Sequence, residues 1–323
     1  MTEAIRRREV LVLAHTGRHD AVDAAAAVAE SLHTAGLTPV MFARDIDSLS
    51  QVVGDRLHEV PIGVAGDDVP LSRCEIGMVL GGDGSILRAA ELVRGAKLPL
   101  MGVNLGHVGF LAESERTELD ACVQWVVEQN YTVERRMAID VQVWHAGEHV
   151  GSTWALNEAS VEKLSRERMV DLVVEIDGRP ISAFGCDGVV MATPTGSTAY
   201  AFSAGGPVVW PEVEALVMVP ISAHALFARP LVVAPDSVMA VELLQREDEQ
   251  GVLWCDGRRS TELPAGSRVE VTRSAVPVLL ARVKQTPFSE RLVDKFNLPT
   301  TGWRGPVESG NTVTSADHRG DHP

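Results

Sequence analysis

The stretch EIGMVLGGDGSILRAAELVR, residues 75–94, carries a strand, a turn and a helix in that order. Its apolar run 75–80 reads as a buried strand, and 85–94 reads as a helix that stops at Gly95. Between them, Gly81, Gly82, Asp83 and Gly84 sit at the carboxyl end of a strand, the edge at which open α/β sheets bind ligands. The pattern extends in both directions. Residues 10–13 are a continuous apolar run, 20–35 are rich in alanine with Gly36 behind them, and 37–43 and 98–103 read as further strands. Strands separated by helical segments predict a parallel α/β domain.

Past residue 139 the texture changes. Residues 139–143, 172–176, 238–244 and 269–271 alternate as half-buried antiparallel strands do, and Asp177-Gly178 and Asp256-Gly257 punctuate them as turns. Residues 288–296 read as an amphipathic helix able to pack back on the first domain. The expected organisation is therefore an α/β domain over 1–138, a β-rich domain over 139–285, a return to the first domain over 286–303, and a disordered tail over 304–323. No internal repeat is present.

Composition sets the outer bounds. A chain of 323 residues, 45% hydrophobic and 23% charged, has room for about two domains and is not a disordered polymer. Its net charge of −15 argues against a general nucleic-acid or anionic-membrane binder, while leaving room for one locally basic anion site. The four cysteines, Cys74, Cys122, Cys186 and Cys255, lie far apart without a CxxC pair, which fits reduced thiols better than a zinc site or a disulfide framework. The basic start followed by a short apolar run is too short for a signal peptide, and the apolar region 207–235 is interrupted by Glu212, Glu214, His224, Arg229 and several prolines. The expectation is a cytoplasmic protein.

Four segments could carry chemistry. In GGDGS (81–85) the glycines let backbone approach an anion, the free N–H groups of a helix start can hold phosphate oxygens, and Arg88 adds a charge one turn on. A carboxylate among phosphates is out of place unless Asp83 acts as a general base or touches a metal; the alternative is a tight turn with Asp83 as a helix cap. NLGHVGFL (104–111) again puts glycines at a strand end, either for a ligand or as a connection between domains. Asn157-Glu158 could clamp a ribose diol or simply cap a turn. In DGVVMATPTGSTAYAFSAGGP (187–207), five Ser/Thr hydroxyls and the Tyr200 phenol converge on a helix start, which suits polyol and phosphate recognition. No third glycine completes a dinucleotide fingerprint after Gly82 and Gly84, and neither a P-loop nor a GxSxG elbow occurs. The pair His145 and His149 brackets Gly147, so a β-turn is favoured over a metal-binding helix there, and His318 and His322 in the tail are discounted as ligands.

Taken together, GGDGS (81–85), NLGHVGFLAE (104–113), NEAS (157–160), the block 187–207, PISAHALFARPLVV (220–233) and FSERLVDKF (288–296) resemble the NAD kinase family, actinobacterial type. GGDG alone is shared with lipid kinases and phosphofructokinase-like enzymes; the TPTGSTAY block with GGP behind it is far more specific. The resemblance implies a NAD kinase-like fold, an α/β domain joined to a β-rich one. It also implies transfer of the terminal phosphoryl group of ATP to the 2′-hydroxyl of the adenosine ribose of NAD, giving NADP, with inorganic polyphosphate as a second donor to be tested. On this resemblance Asp83 is the catalytic base. Contacts to NAD fall on Asp83, Gly84, Arg88, Asn157, Glu158, Arg168, Asp187, Thr198, Ala199, Tyr200, Ala201, Phe202 and Ser203. Arg168 matches only by its place before the strand 172–176. The resemblance further implies Mg²⁺ beside the donor, without naming its ligands, and a homodimer or homotetramer. Ser85 stands where the family usually has Thr, Val108 where Leu is common, and Ser222-Ala223 where Cys-Pro often precedes the histidine at 224. Two alternatives remain: a lipid kinase sharing GGDG, and a dinucleotide sensor that binds NAD without consuming a donor.

Overall fold

The computed structural model describes residues 7–106, 109–112, 114–165, 167–244, 250–284 and 286–300. The expected tail 304–323 lies outside the described residues, as do His107, Val108 and Glu113 of the 104–113 motif. The first part of the chain forms strands β1 (Glu9–Ala14), β2 (Thr38–Met41), β3 (Gly63–Val64), β4 (Cys74–Leu80), β5 (Leu100–Asn104), β6 (Ser114–Glu115) and β7 (Thr132–Arg136). Between them run helices α1 (His19–Thr34), α2 (Ala43–Val53), α3 (Asp83–Val93) and α4 (Leu119–Glu128). β3, β2, β1, β4 and β5 pair in parallel in that order. Their apolar runs are continuous because both faces are covered, as a parallel sheet requires. In β1, Val10 and Val12 face α1 and α4, whereas Leu11 and Leu13 join a second cluster with Ile86 and Leu87 of α3. Helices on both faces thus follow from the two-residue period of the strand.

The β-rich half comprises β8 (Ile139–His145), β9 (Glu148–Ala155), β10 (Glu158–Lys163), β11 (Val170–Ile176), β12 (Arg179–Cys186), β13 (Gly188–Ala192), β14 (Leu216–Ile221), β15 (Leu231–Val233), β16 (Met239–Leu243), β17 (Gly251–Cys255), β18 (Arg259–Leu263) and β19 (Ser267–Arg273). They form two antiparallel sheets, β15-β14-β13-β10-β17-β18 and β12-β11-β16-β19-β8-β9. Both contribute to one core, with Ala159 and Val161 of β10 meeting Val141 of β8 and Val241 of β16 in the same cluster. The alternate residues of β10, Glu158, Ser160 and Glu162, therefore face outward. They share that outer face with Val190 and Ala192 of β13, over which helix α5 (Tyr200–Ser203) lies. His145 and His149 flank the Ala146-Gly147 turn of a hairpin, as the sequence suggests.

Two features depart from the sequence reading. Ala43 opens α2 instead of extending the second strand; α2 buries only Asp45 and Leu49, too thin a stripe to stand out in the pattern. The strand β20 (Val278–Arg282), which falls within 139–285, pairs with β5 and β7 and so lies in the first sheet. Helix α6 (Phe288–Phe296) then crosses the junction of the two halves: Phe288 and Phe296 pack on Phe110, and Phe296 stacks on Phe202 at 4.5 Å. All four cysteines are buried free thiols. No helix among the described residues is long and apolar enough to cross a membrane.

Candidate active site

The GGDG turn is held from both sides. Gly81 donates its N–H to Val103 O at 2.9 Å, and a side chain there would collide with Ser85, its Cβ lying 2.2 Å from Ser85 Oγ. Gly82 occupies the N-cap position and Asp83 is the first residue of α3, so Asp83 does not cap the helix. Its carboxylate turns instead to the loop after β5. Oδ2 accepts from Phe110 N at 2.9 Å, and Oδ1 from Leu111 N at 3.0 Å. Gly109 closes over it so tightly that a Cβ would stand 2.2 Å from Oδ1. Asp83 lines a cavity of about 320 Å³ with Arg18, Asn104, Gly106 and Lys295. On the other side of the turn Gly84, Ser85 and Arg88 line a cavity of about 390 Å³, floored by Leu13, Val79 and Ala89, with Arg258 on its wall. Gly82 lines both cavities.

The Asn157-Glu158 corner is tied to α3 through Leu156, fully buried in the apolar cluster of Ile86, Leu87 and Leu111, although neither Asn157 nor Glu158 lines the two cavities. Gly196 packs against the corner, where a Cβ would come within 1.9 Å of Asn157 O. Burial pushes the Glu158 carboxyl up to about 8, and the nearby Asp256 and Glu162 carboxylates push the same way. The Tyr200 N–H, 3.4 Å from Glu158 Oε2, opposes this without overturning it. Glu158 is thus largely protonated at neutral pH and can donate as well as accept a hydrogen bond.

The hydroxyl-rich segment serves the turn more than the sequence suggests. Thr193 Oγ1 donates to Leu156 O, Ser197 Oγ donates to Pro194 O and accepts from Val209 N, and Thr198 Oγ1 donates to Thr195 O. These hydroxyls satisfy backbone groups that a buried turn would otherwise leave without partners. Ala201 of α5 is fully buried, packed in the cluster with Val190 and Ala192 of β13. Tyr200 and Phe202 remain 37% and 40% exposed. Through Phe296, Phe202 is one side chain away from Phe110, whose amide holds Asp83.

Asp187 pairs with Lys163 Nζ at 2.5 Å. That hydrogen bond, with smaller help from Ser222 and His224, holds its carboxyl below the ordinary range. Arg168 stands exposed before β11 and lines neither cavity around GGDG. The sequence reading missed Arg18, Lys295 and Arg258, which bring positive charge to the cavities, and took Asp256 only as a turn residue. Lys295 lies inside the quoted FSERLVDKF, so its position was visible while its role was not. Among the described residues no three His, Cys, Asp or Glu side chains gather as a metal cage.

The ATP-NAD kinase N-terminal domain model matches residues 10–131, and the ATP-NAD kinase C-terminal domain model matches 156–283. An NAD kinase of Thermobifida fusca is 59% identical over 302 residues, covering 92% of each chain. One from Leifsonia xyli is 57% identical over 300 residues, covering 93% of this chain and 98% of its own. Among solved structures, yeast NADH kinase complexed with NADH superposes with a TM-score of 0.79 at 21% identity, covering 96% of this chain and 90% of its own. An NAD kinase from Archaeoglobus fulgidus in complex with ATP gives 0.64 at 24% identity, covering 90% and 99%. The two structural likenesses show the fold; the family models and the close relatives show more, namely that this chain belongs to the NAD kinase family and is an NAD kinase, a phosphotransferase.

Proposed function

We propose that this chain is a cytoplasmic enzyme that transfers the terminal phosphoryl group of ATP to the 2′-hydroxyl of the adenosine ribose of NAD, with Asp83 as the base. The observation that carries this reading is the placement of Asp83: a carboxylate fixed by two backbone amides, beside a cavity that also holds Arg18 and Lys295. Phosphoryl transfer asks the protein mainly for positioning and charge neutralisation. Asp83 accepts the proton of the attacking hydroxyl, while the amides of Phe110 and Leu111 keep its oxygens aimed. ATP is a polyanion and NAD carries a diphosphate, in a chain of net charge −15, so the local cations matter. Arg88 and Arg258 serve one side of the turn, Arg18 and Lys295 the other. Asn157 and neutral Glu158 bind the ribose, and Tyr200, Phe202, Asp187 and Arg168 complete the NAD contacts.

The donor set fits a magnesium ion carried by the donor's phosphates. Among the described residues no protein cage is formed and Asp83 is the one carboxylate lining the cavity with Arg18 and Lys295, which suits an ion that keeps most of its waters. When bound, Mg²⁺ neutralises charge on the phosphates being separated. The exposed Leu226 and Phe227, just beyond His224, support assembly into the dimer or tetramer that the resemblance implies.

The test is to incubate the protein with NAD, Mg²⁺ and either ATP or inorganic polyphosphate, and to follow NADP with an NADP-specific dehydrogenase. NADP formed with ATP supports the reading, and NADP formed with polyphosphate extends the donor range to it. NAD binding without NADP from either donor would overturn it.

A further inference from the structure

We propose that Asp256 is a positioning residue for the reaction: through Arg259 and Glu91 it fixes the Asn157-Glu158 corner to the helix that begins at Asp83. The inference rests on the reading of that corner as the ribose site and deepens it. Asp256 sits at the first position of the tight Asp256-Gly257 turn between β17 and β18, with φ of 53° and 61° at the two residues. A turn needs no buried carboxylate, yet the Asp256 side chain is only 1% exposed. Its Oδ1 accepts from Asn157 N at 2.7 Å, and both oxygens accept from Leu156 N at 3.0 Å. Its own N–H donates to Glu158 O at 2.9 Å. One residue thus holds three consecutive backbone positions of the corner.

The outer side of the carboxylate faces Arg259, whose Nη2 donates to Oδ2 at 2.9 Å. Arg259 Nε in turn lies 3.2 Å from Glu91 Oε1, on α3 two turns beyond Asp83. Arg258 reaches the same Glu91 oxygen at 3.1 Å while lining the cavity beside Gly84. The chain of contacts runs from the helix that presents Asp83, through two charge pairs, to the backbone that presents Asn157 and Glu158. Arg259 Nη2–Asp256 and Arg258 Nε–Glu91 are charge-assisted hydrogen bonds, the strong and directional kind, whereas Arg259 Nε meets Glu91 as an ion pair without a hydrogen bond. Asp256 also acts on Glu158 directly. The groups facing the Glu158 carboxyl are Glu162 on its own strand, Asp256 from the β17–β18 turn and Tyr200 from α5, and both carboxylates favour its protonated form.

The test uses the full chain. Asp256→Asn keeps the volume and one oxygen for the Leu156 and Asn157 amides, but turns an NH₂ toward Arg259. Losing a hydrogen bond to a charged group should raise KM for NAD about tenfold, with KM for ATP unchanged. Removing the negative neighbour should also move the fall in NAD affinity with rising pH to lower pH, a shift that a purely structural role would not give. Glu91→Gln, on the partly exposed outer link, should raise KM for NAD less and in the same direction; if Asp256→Asn does not fold, this variant decides the question. Unchanged KM for NAD in the folded variants, or an equal rise in both KM values, would overturn the proposal. If the wild-type chain makes no NADP at all, the functional reading fails instead, so the two failures are distinguishable.

Discussion

Adding one methyl group at residue 109 should disable the enzyme without unfolding it. In Gly109→Ala the new Cβ would stand 2.2 Å from Asp83 Oδ1 and 2.9 Å from its Cγ, inside the 3.0 Å that real Cβ atoms essentially never breach. What lies in the way is the end of a short side chain, which can swing, so the fold itself should lose only about 1–2 kcal/mol to the overpacking. The carboxylate cannot swing freely, because Phe110 N and Leu111 N hold its two oxygens at 2.9 and 3.0 Å. It must retreat by about 1 Å and weaken both bonds, a misplacement of the size that lowers turnover roughly 10²-fold. The assay is the initial rate of NADP formation at saturating NAD and ATP, with thermal unfolding measured in parallel. Gly95→Ala is the control: no atom lies within 4 Å of its Cβ and it lines neither cavity, so turnover should not change. Normal turnover in folded Gly109→Ala would show that the position of Asp83 is not what limits the reaction.

Other sites make independent predictions. Gly196→Ala places a Cβ against the backbone of Asn157, which cannot swing aside, so it should cost about 3 kcal/mol or more; an unchanged melting temperature would contradict the tight corner. Glu158 has its folded pKa raised to about 8 from an ordinary 4.5, so the folded state binds its proton more tightly than the unfolded chain. Its contribution to stability is therefore present below about pH 4.5 and is lost as pH rises to about 8. Relative to wild type, Glu158→Gln should gain stability steadily between about pH 5 and pH 9; a constant difference in unfolding free energy would refute the assignment. Chelating divalent ions with EDTA should stop NADP formation and leave the melting temperature in place, as expected of an ion that arrives on the donor's phosphates. A large loss of stability would point to a structural ion instead.

The sequence made some of this legible and hid the rest for physical reasons. The alternation of β1, α1, β4 and α3 is visible because each element carries its own periodicity, and the GGDG turn because glycine is required where backbones crowd. β20 could not be assigned to the first sheet from pattern alone, since its five residues read the same whichever sheet they join. The hydroxyls of Thr193, Ser197 and Thr198 looked like ligand groups because composition does not say which partner a hydroxyl takes; the fold gives them backbone partners. Arg18 and Lys295 are far apart in sequence and meet only because α6 returns to the α/β half, and Asp256 is separated from Asn157 by 99 positions. Nothing local marks any of them. Arg168, taken from the resemblance by its place before β11, stands exposed there.

The most direct test of the account is turnover in Asp83→Asn with NAD affinity measured on the same protein. An amide keeps the size of the side chain and one acceptor oxygen but cannot take the hydroxyl proton. The account predicts that NADP formation falls about 10²–10⁴-fold while NAD still binds and the protein still folds, with a melting temperature lowered by the one backbone hydrogen bond that the new NH₂ cannot accept. Turnover close to wild type would remove Asp83 from the chemistry and with it the central claim.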